Sequence, residues 1–268
     1  MPGRFTKMEN RANAPPDQQR TKEVPGRSDS WIGRGGDLPA RLGSRAPFPH
    51  YKYTVIHASD LTELAAGIGC EIPQDRAELL LAYLDAMLEE NLNVNLTAVR
   101  DRETAVIFHA LDSLAMGNKA FGLRPHNCLD LGTGNGFPGI AIACLFPKAK
   151  VLLMDRTLKK LKAIERAVES AGFQPGQIST TQMNASEAPA HGYRRSFDLV
   201  TVRAVGPARE MGILAKPLLP KGGSLLCWLS SDTEVAAALP GDLRKKGDLQ
   251  YSLPSPGERT RRLVSYQR

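Results

Sequence analysis

Three glycines at alternate positions, Gly132, Gly134 and Gly136, stand between two apolar runs in Cys128-Leu-Asp-Leu-Gly-Thr-Gly-Asn-Gly-Phe-Pro-Gly139. Glycine has no Cβ, so this spacing permits a tight turn and lets the backbone approach a ligand closely. At the carboxyl end of the first strand of a parallel sheet, such a turn walls the ligand crevice. Gly134-x-Gly136-x-x-Gly139 formally matches the dinucleotide pattern GxGxxG, which is weak by itself. Asp130, two residues before the first glycine, weighs against that ligand. A carboxylate there would oppose the phosphates of a dinucleotide, and it suits a ligand carrying an α-ammonium group.

D-x-G-x-G-x-G after a first strand is the pattern associated with S-adenosylmethionine (SAM). A second acid, Asp155, ends the run Val151-Leu-Leu-Met-Asp155 about twenty residues further on. A carboxylate in that place accepts hydrogen bonds from both ribose hydroxyls. Its competing role is to cap the helix that starts near Thr157. One carboxylate can serve both ends.

His109, Asp112 and Ser113 are spaced i, i+3, i+4 and so share one face of a helix. Hydrolase triads draw their members from separate elements, so these three read as a polar patch packing that helix onto the sheet. Lys159, Lys160, Lys162 and Arg166 ride one helix, with further basic sets at Arg194-Arg195, Arg244-Lys245-Lys246, and Arg259 with Arg261-Arg262. Most are expected on solvated faces. If RNA binds, some contact phosphates.

The elements that must position these groups are legible from periodicity. Ser59 is placed to cap a short helix carrying Leu61, Leu64, Ala65 and Ile68 and stopped by Gly69. Asp75 and Glu78 have the layout of a capping box for a helix to about Asn91. A third helix is expected from Glu103 to Met116. From Asn127 short apolar runs alternate with amphipathic segments: strands Cys128–Leu131, Val151–Met154, Ile178–Gln182, Leu199–Val202 and Ser224–Leu229, and helices Pro138–Leu145, Thr157–Ala171 and one begun by Pro207. Alternation of this kind means βαβ units. Leu249–Leu253 and Leu263–Tyr266 could add edge strands. The expected fold is α/β and Rossmann-like, that of a class I SAM-dependent methyltransferase. A mostly parallel twisted sheet carries helices on both faces, preceded by a small helical extension. The expected divisions are a disordered basic tail over 1–55, a helical subdomain over 56–120 and a SAM-binding domain over 121–268.

Composition sets the outer bounds. The chain has 268 residues, 42% hydrophobic and 24% charged, as in soluble globular proteins, and no run approaches a membrane span. Four scattered cysteines show no metal-ligand spacing, so neither a disulfide framework nor a metal site is expected, and a cytoplasmic location is. The first fifty residues hold seven prolines, six glycines, nine basic and five acidic side chains. That stretch reads as a solvated tail and is too acidic for a transit peptide.

Four segments occur in a telling order: Asn95-Leu-Thr-Ala-Val-Arg-Asp101, His109-x-x-Asp112-Ser113, Leu129 to Gly139, and Val202-Arg203-Ala204. Together they resemble the bacterial guanine-N7 methyltransferases of 16S ribosomal RNA, the glucose-inhibited division protein B family. The resemblance runs from about Ser59 to the carboxyl terminus. It implies a monomer that binds SAM and acts on 16S rRNA or a precursor of the small subunit. It also implies that Gly132, Gly134 and Phe137 line the cofactor pocket, that Asp155, Arg156 and Thr157 meet ribose and adenine, and that Ala185 and Ser186 lie against the adenine ring. Arg203 would reach cofactor or target base, and Asn95 would hold the base edge at the mouth, as the two catalytic positions. Three positions depart from the relatives: Phe108 and Asn184 stand where arginine is common, and Leu229 where lysine is. The other readings are methylation of another RNA or a small molecule, and an rRNA-binding assembly factor with little activity. Nicotinamide-dependent oxidation comes last.

Overall fold

The structure, a computed structural model, describes residues 55–254 and 259–268, so the expected tail lies outside the described residues except for Val55. Helix α1 (Ala58–Gly67) starts two residues earlier than a Ser59 cap requires. The Asp60 carboxylate reaches back to the His57 amide at 2.8 Å and holds the helix entry instead. Helix α2 (Gln74–Glu90) enters directly from Pro73, whose fixed φ is ready for a helix start. Asp75 and Glu78 therefore lie within the first turns and form no capping box, and Asp75 rests against Arg76 at 3.2 Å.

The third helix is not uniform. Asp101 caps it through the Thr104 amide at 2.8 Å. Helix α3 (Arg102–Ala105) widens into a π-helical turn over Val106–Leu111 before continuing as α4 (Asp112–Leu114). Across this turn His109, Asp112 and Ser113 still converge on one partner from the sheet, Arg203 of the fourth strand, as expected of a polar patch packing the helix onto the sheet.

The sheet follows: β1 (Asn127–Leu131), α5 (Gly139–Leu145), β2 (Lys150–Asp155), α6 (Leu158–Ala171), β3 (Ile178–Gln182), β4 (Leu199–Arg203), α7 (Ala208–Ala215) and β5 (Ser224–Ser230). Three late strands complete it: β6 (Ala238–Leu239), β7 (Leu243–Leu253) and β8 (Arg259–Gln267). Strand order is β3-β2-β1-β4-β5-β8-β7-β6, parallel through the first five and antiparallel beyond β5. The order reverses between β1 and β4, and in open α/β sheets the crevice at such a switch point takes the ligand. The late runs are more than edge strands. β8 lies inside the sheet, between β5 and β7, because Leu263, Val264 and Tyr266 are wholly buried.

Alternation along the strands builds two cores. Leu129, Leu131, Val200 and Val202 face α7, whereas Cys128, Val151, Leu153 and Leu199 face α5 and α6. Helices α1 and α2 belong to that second core: Leu61, Leu80 and Leu84 are fully buried within it. Arg166 of α6 grips Glu90 of α2 with two hydrogen bonds of 2.8 and 2.5 Å. The helical preface thus shares its interior with the sheet.

Asp130 lies on the α5 side of β1 and is almost completely buried. It accepts from Thr201 Oγ1 (2.8 Å), Thr133 Oγ1 (2.6 Å) and the Gly139 amide (3.1 Å), joining β4, the glycine turn and α5 to one carboxyl group. Burial raises its pKa, opposed by the hydrogen bonds it accepts. Removing the group leaves three buried donors unpaired, so Asp130→Ala should cost about 3 kcal/mol of stability. Asparagine keeps an acceptor for Gly139 and Thr133 and can donate to Thr201, so Asp130→Asn should cost less than half as much. Urea denaturation of both variants measures this, and equal losses would contradict it.

Candidate cofactor and substrate cleft

Above the carboxyl ends of β1, β2 and β4 lies a cleft of about 890 Å³. That is within the several-hundred to roughly 1,000 Å³ range of small-molecule sites. Its floor is the glycine turn. Gly132, Gly134 and Gly136 have φ of +74°, +59° and +89°, where side chains are strained. A Cβ on Gly132 would come within 2.8 Å of Val205 Cγ2, and one on Gly136 within 2.0 Å of the Tyr83 hydroxyl. That hydroxyl is buried and donates to the Asn135 carbonyl at 2.9 Å, supporting the turn from α2 below.

Asp155 ends β2 beside the turn. Its Oδ2 accepts from the Gly134 amide at 3.1 Å and its Oδ1 from the Thr157 amide at 2.9 Å. Asp155 thus braces the glycine turn and the approach to α6, but it does not cap that helix, whose N-cap position is Thr157. A carboxylate has about four acceptor sites, which leaves capacity for two ribose hydroxyls.

Opposite the turn, Arg203 extends from the end of β4. Its Nη1 donates towards the Phe108 and His109 carbonyls, Asp112 Oδ2 and Ser113 Oγ at 3.1–3.5 Å, and Nη2 donates to the Phe137 carbonyl at 3.2 Å. One guanidinium group thus ties β4 to the π-helical turn and to the glycine turn. Asp112 is shared further: its Oδ1 accepts from Tyr251 at 2.6 Å, and its carbonyl from Trp228 Nε1 at 2.9 Å.

His109 lies inside the cleft, stacked on Phe137 with ring centroids 6.0 Å apart and Nε2 2.9 Å from Thr97 Oγ1. Burial first, and the Arg203 charge second, lower its pKa from 6.5 to about 4. The imidazole is neutral at physiological pH. Deeper protonation is also costly for Tyr83 and Tyr251 to reverse: burial raises both phenols, so they act as hydrogen-bond donors and not as acids.

Of the residues expected at the site, Gly132, Gly134, Phe137, Asp155, Arg156, Thr157, Ala185 and Arg203 all line this one cleft. Two do not. Asn95 lies outside the wall, where its Oδ1 accepts from Arg100 at 3.1 Å, and Leu96 and Thr97 face the cleft instead. Ser186 is also outside, because the Asn184 carboxamide takes its amide and hydroxyl at 3.2 and 3.1 Å. Asp130 does not face the ligand either, and the ammonium argument for it fails. Its oxygens are committed to the protein, and it shapes the turn from beneath. Residues that sequence reasoning left out of the site include Thr97, His109, Arg259 and Arg261. His109 and Thr97 were visible within the ordered segments, but their juxtaposition comes only from the fold. The three departing positions, Phe108, Asn184 and Leu229, are all on the cleft wall.

A switch-point cleft with a glycine turn under it and a strand-end acid beside it defines a Rossmann-like methyltransferase. Residues 76–263 match the family model described as "GidB: rRNA small subunit methyltransferase G", and the chain belongs to that family. It is 34% identical over 210 residues to the ribosomal RNA small subunit methyltransferase G of Syntrophotalea carbinolica, covering 75% of this chain and 94% of the relative. Against the protein of the same name from Symbiobacterium thermophilum, identity is 34% over 214 residues, covering 74% and 85%. A solved structure of a predicted O-methyltransferase from Agrobacterium tumefaciens aligns with a TM-score of 0.45 at 23% identity, covering 58% of this chain and 77% of that one. Members of the family use SAM, and this chain is a SAM-dependent methyltransferase. The cleft fits that cofactor: Gly132 provides a backbone cradle that a Cβ would close, and Asp155 retains free acceptor sites beside it. No helix among the described residues is long and apolar enough to cross a membrane.

Gly132→Arg should fill the cradle and weaken SAM binding at least 100-fold by calorimetry, with the circular dichroism of the folded chain retained. Undiminished binding would remove the cofactor from this turn. His109 gives a pH signature. Above pH 6.5 it is neutral in both folded and unfolded states; below that, the unfolded chain takes up a proton that the folded chain refuses. Stability should therefore fall from about pH 6.5 to about 4 by about 3 kcal/mol and level off below. Urea denaturation at pH 7.5 and 4.5 should show a drop smaller by roughly that amount in His109→Gln. An unchanged drop would place the protonation elsewhere.

Proposed function

We propose that the protein transfers a methyl group from SAM to N7 of a guanosine in 16S rRNA, in the cytoplasm. The observation that carries this reading is the pairing, in one cleft, of the glycine turn with a wall of guanidinium groups from Arg203, Arg259 and Arg261. SAM is itself cationic at sulfur, so a basic wall is not there to recruit it; an anionic polymer such as RNA is the ligand that such a wall attracts.

Gly132 and Gly134 would cradle the cofactor, with Asp155, Arg156 and Thr157 on its ribose and adenine side and Ala185 beside the ring. SAM supplies a methyl group on a positively charged sulfur, an electrophile that needs no activation. Guanine N7 carries a free lone pair at neutral pH, so the chain need not supply a base. Neutral His109 and the tied phenol of Tyr251 accord with that. What the residues must do is orient and dry the reacting pair, a contribution worth about 7–11 kcal/mol in well-positioned reactions. Phe137 and His109 form an apolar stack that excludes water. Arg203 has five N–H donors. Its Nε–H has no acceptor among the described residues, and it would meet the base. Thr97, which faces the cleft and is held by His109, would meet the base edge in place of Asn95.

Mass spectrometry of nucleosides from small-subunit rRNA of cells with and without the gene tests the proposal. N7-methylguanosine should fall by one residue per 16S molecule in the deletion and return with the wild-type chain. Equal levels in both strains would overturn it, and methylation of a non-ribosomal pool would favour a different substrate.

A further inference from the structure

The β8 side of the cleft lies apart from the glycine turn and Asp155 in the reading above. There the guanidinium carbon of Arg259 lies 4.9 Å from the centre of the Phe108 ring, and that of Arg261 lies 6.0 Å from it. Both distances are within the range of cation–π attraction, which fixes an arginine over an aromatic face without consuming its N–H donors. All three side chains line the same cleft as the glycine turn.

Among the described residues the charge on this side is only partly paired. Arg261 approaches Asp112 only at 3.9 Å, and its buried Nε–H has no acceptor among the described residues. Asp112 is already paired with Arg203 at 3.3 Å and bonded to Tyr251. Among the described residues, no carboxylate lies within ion-pair distance of Arg259. One buried carboxylate, Asp112, is therefore shared between Arg203 and Arg261, and Arg259 has none among the described residues. Planar guanidinium groups with free donors match phosphate oxygens in geometry as well as in charge.

We infer that Arg259 and Arg261, laid over Phe108, form a phosphodiester-binding subsite at the substrate end of the cleft. The subsite holds a backbone phosphate beside the nucleotide that is methylated. This rests on the RNA reading above and adds to it the residues that hold the strand. Phe108 takes part by presenting its ring as the support for the arginines arriving from β8.

The test uses the full chain, small-subunit rRNA and a salt series. Arg259→Gln should raise the KM for RNA about 10-fold, leave kcat within two-fold, and make the logarithmic salt slope of RNA binding shallower by about 0.7, the share of one phosphate contact. SAM affinity by calorimetry should not change. Phe108→Leu, which keeps bulk and removes the π face, should raise the same KM about three-fold. Lys246→Gln, an exposed charge on β7 away from the cleft, should change neither quantity and controls for overall charge. If the wild type methylates rRNA while Arg259→Gln matches Lys246→Gln in KM and slope, the subsite is wrong and the RNA reading stands. If the wild type neither binds nor methylates rRNA, both fall.

Discussion

A carboxyl group with no access to water organises the centre of this molecule. Asp130 takes two threonine hydroxyls and one helix amide, and these donors come from β4, the glycine turn and α5. A buried acceptor is tolerated only where its partners are in place, so the turn, the neighbouring strand and the helix start are held in one arrangement. The positive φ angles of Gly132, Gly134 and Gly136 follow from that arrangement, and the cleft floor follows from the glycines. The acid of the motif thus shapes the cleft floor from beneath without lining the cleft.

A second buried network sits above the first. Arg203 joins β4 to the π-helical turn and to Phe137, and Asp112 gathers Arg203, Tyr251 and Trp228. This is why the helical preface cannot be an appendage. It supplies the carbonyls that hold Arg203, the Tyr83 hydroxyl that supports Asn135, and the His109–Thr97 pair of the cleft. The low pKa of His109 is a by-product of the same packing, since burial and the Arg203 charge both disfavour its protonated form.

Much of the framework was legible along the chain. The strand and helix alternation from Asn127 onward and the turn at Gly132 both follow from periodicity and glycine placement. The errors have local physical causes. A carboxylate at Asp60 outcompeted Ser59 at the first helix entry, and Pro73 set the second helix two residues before its expected cap. The π-helical turn left no sequence signal, yet the carbonyls of Phe108 and His109 within it help hold Arg203. Ser186 was lost from the site to the carboxamide of Asn184, and Asn95 to Arg100; both are short-range competitions among polar side chains that spacing does not resolve.

What the residues alone determined is the turn, its strand-end acid and the kind of ligand that such a pair can hold. These depend on backbone freedom and on neighbours within a few dozen positions, and such constraints are written locally. The tertiary structure decided which charges face the cleft. Arg259 and Arg261 enter it because β8 runs antiparallel between β5 and β7, bringing the end of the chain over Phe108. The place of β8 beside β5 accords with burial of Leu263, Val264 and Tyr266 in the sheet's interior, a tertiary requirement that no short motif records.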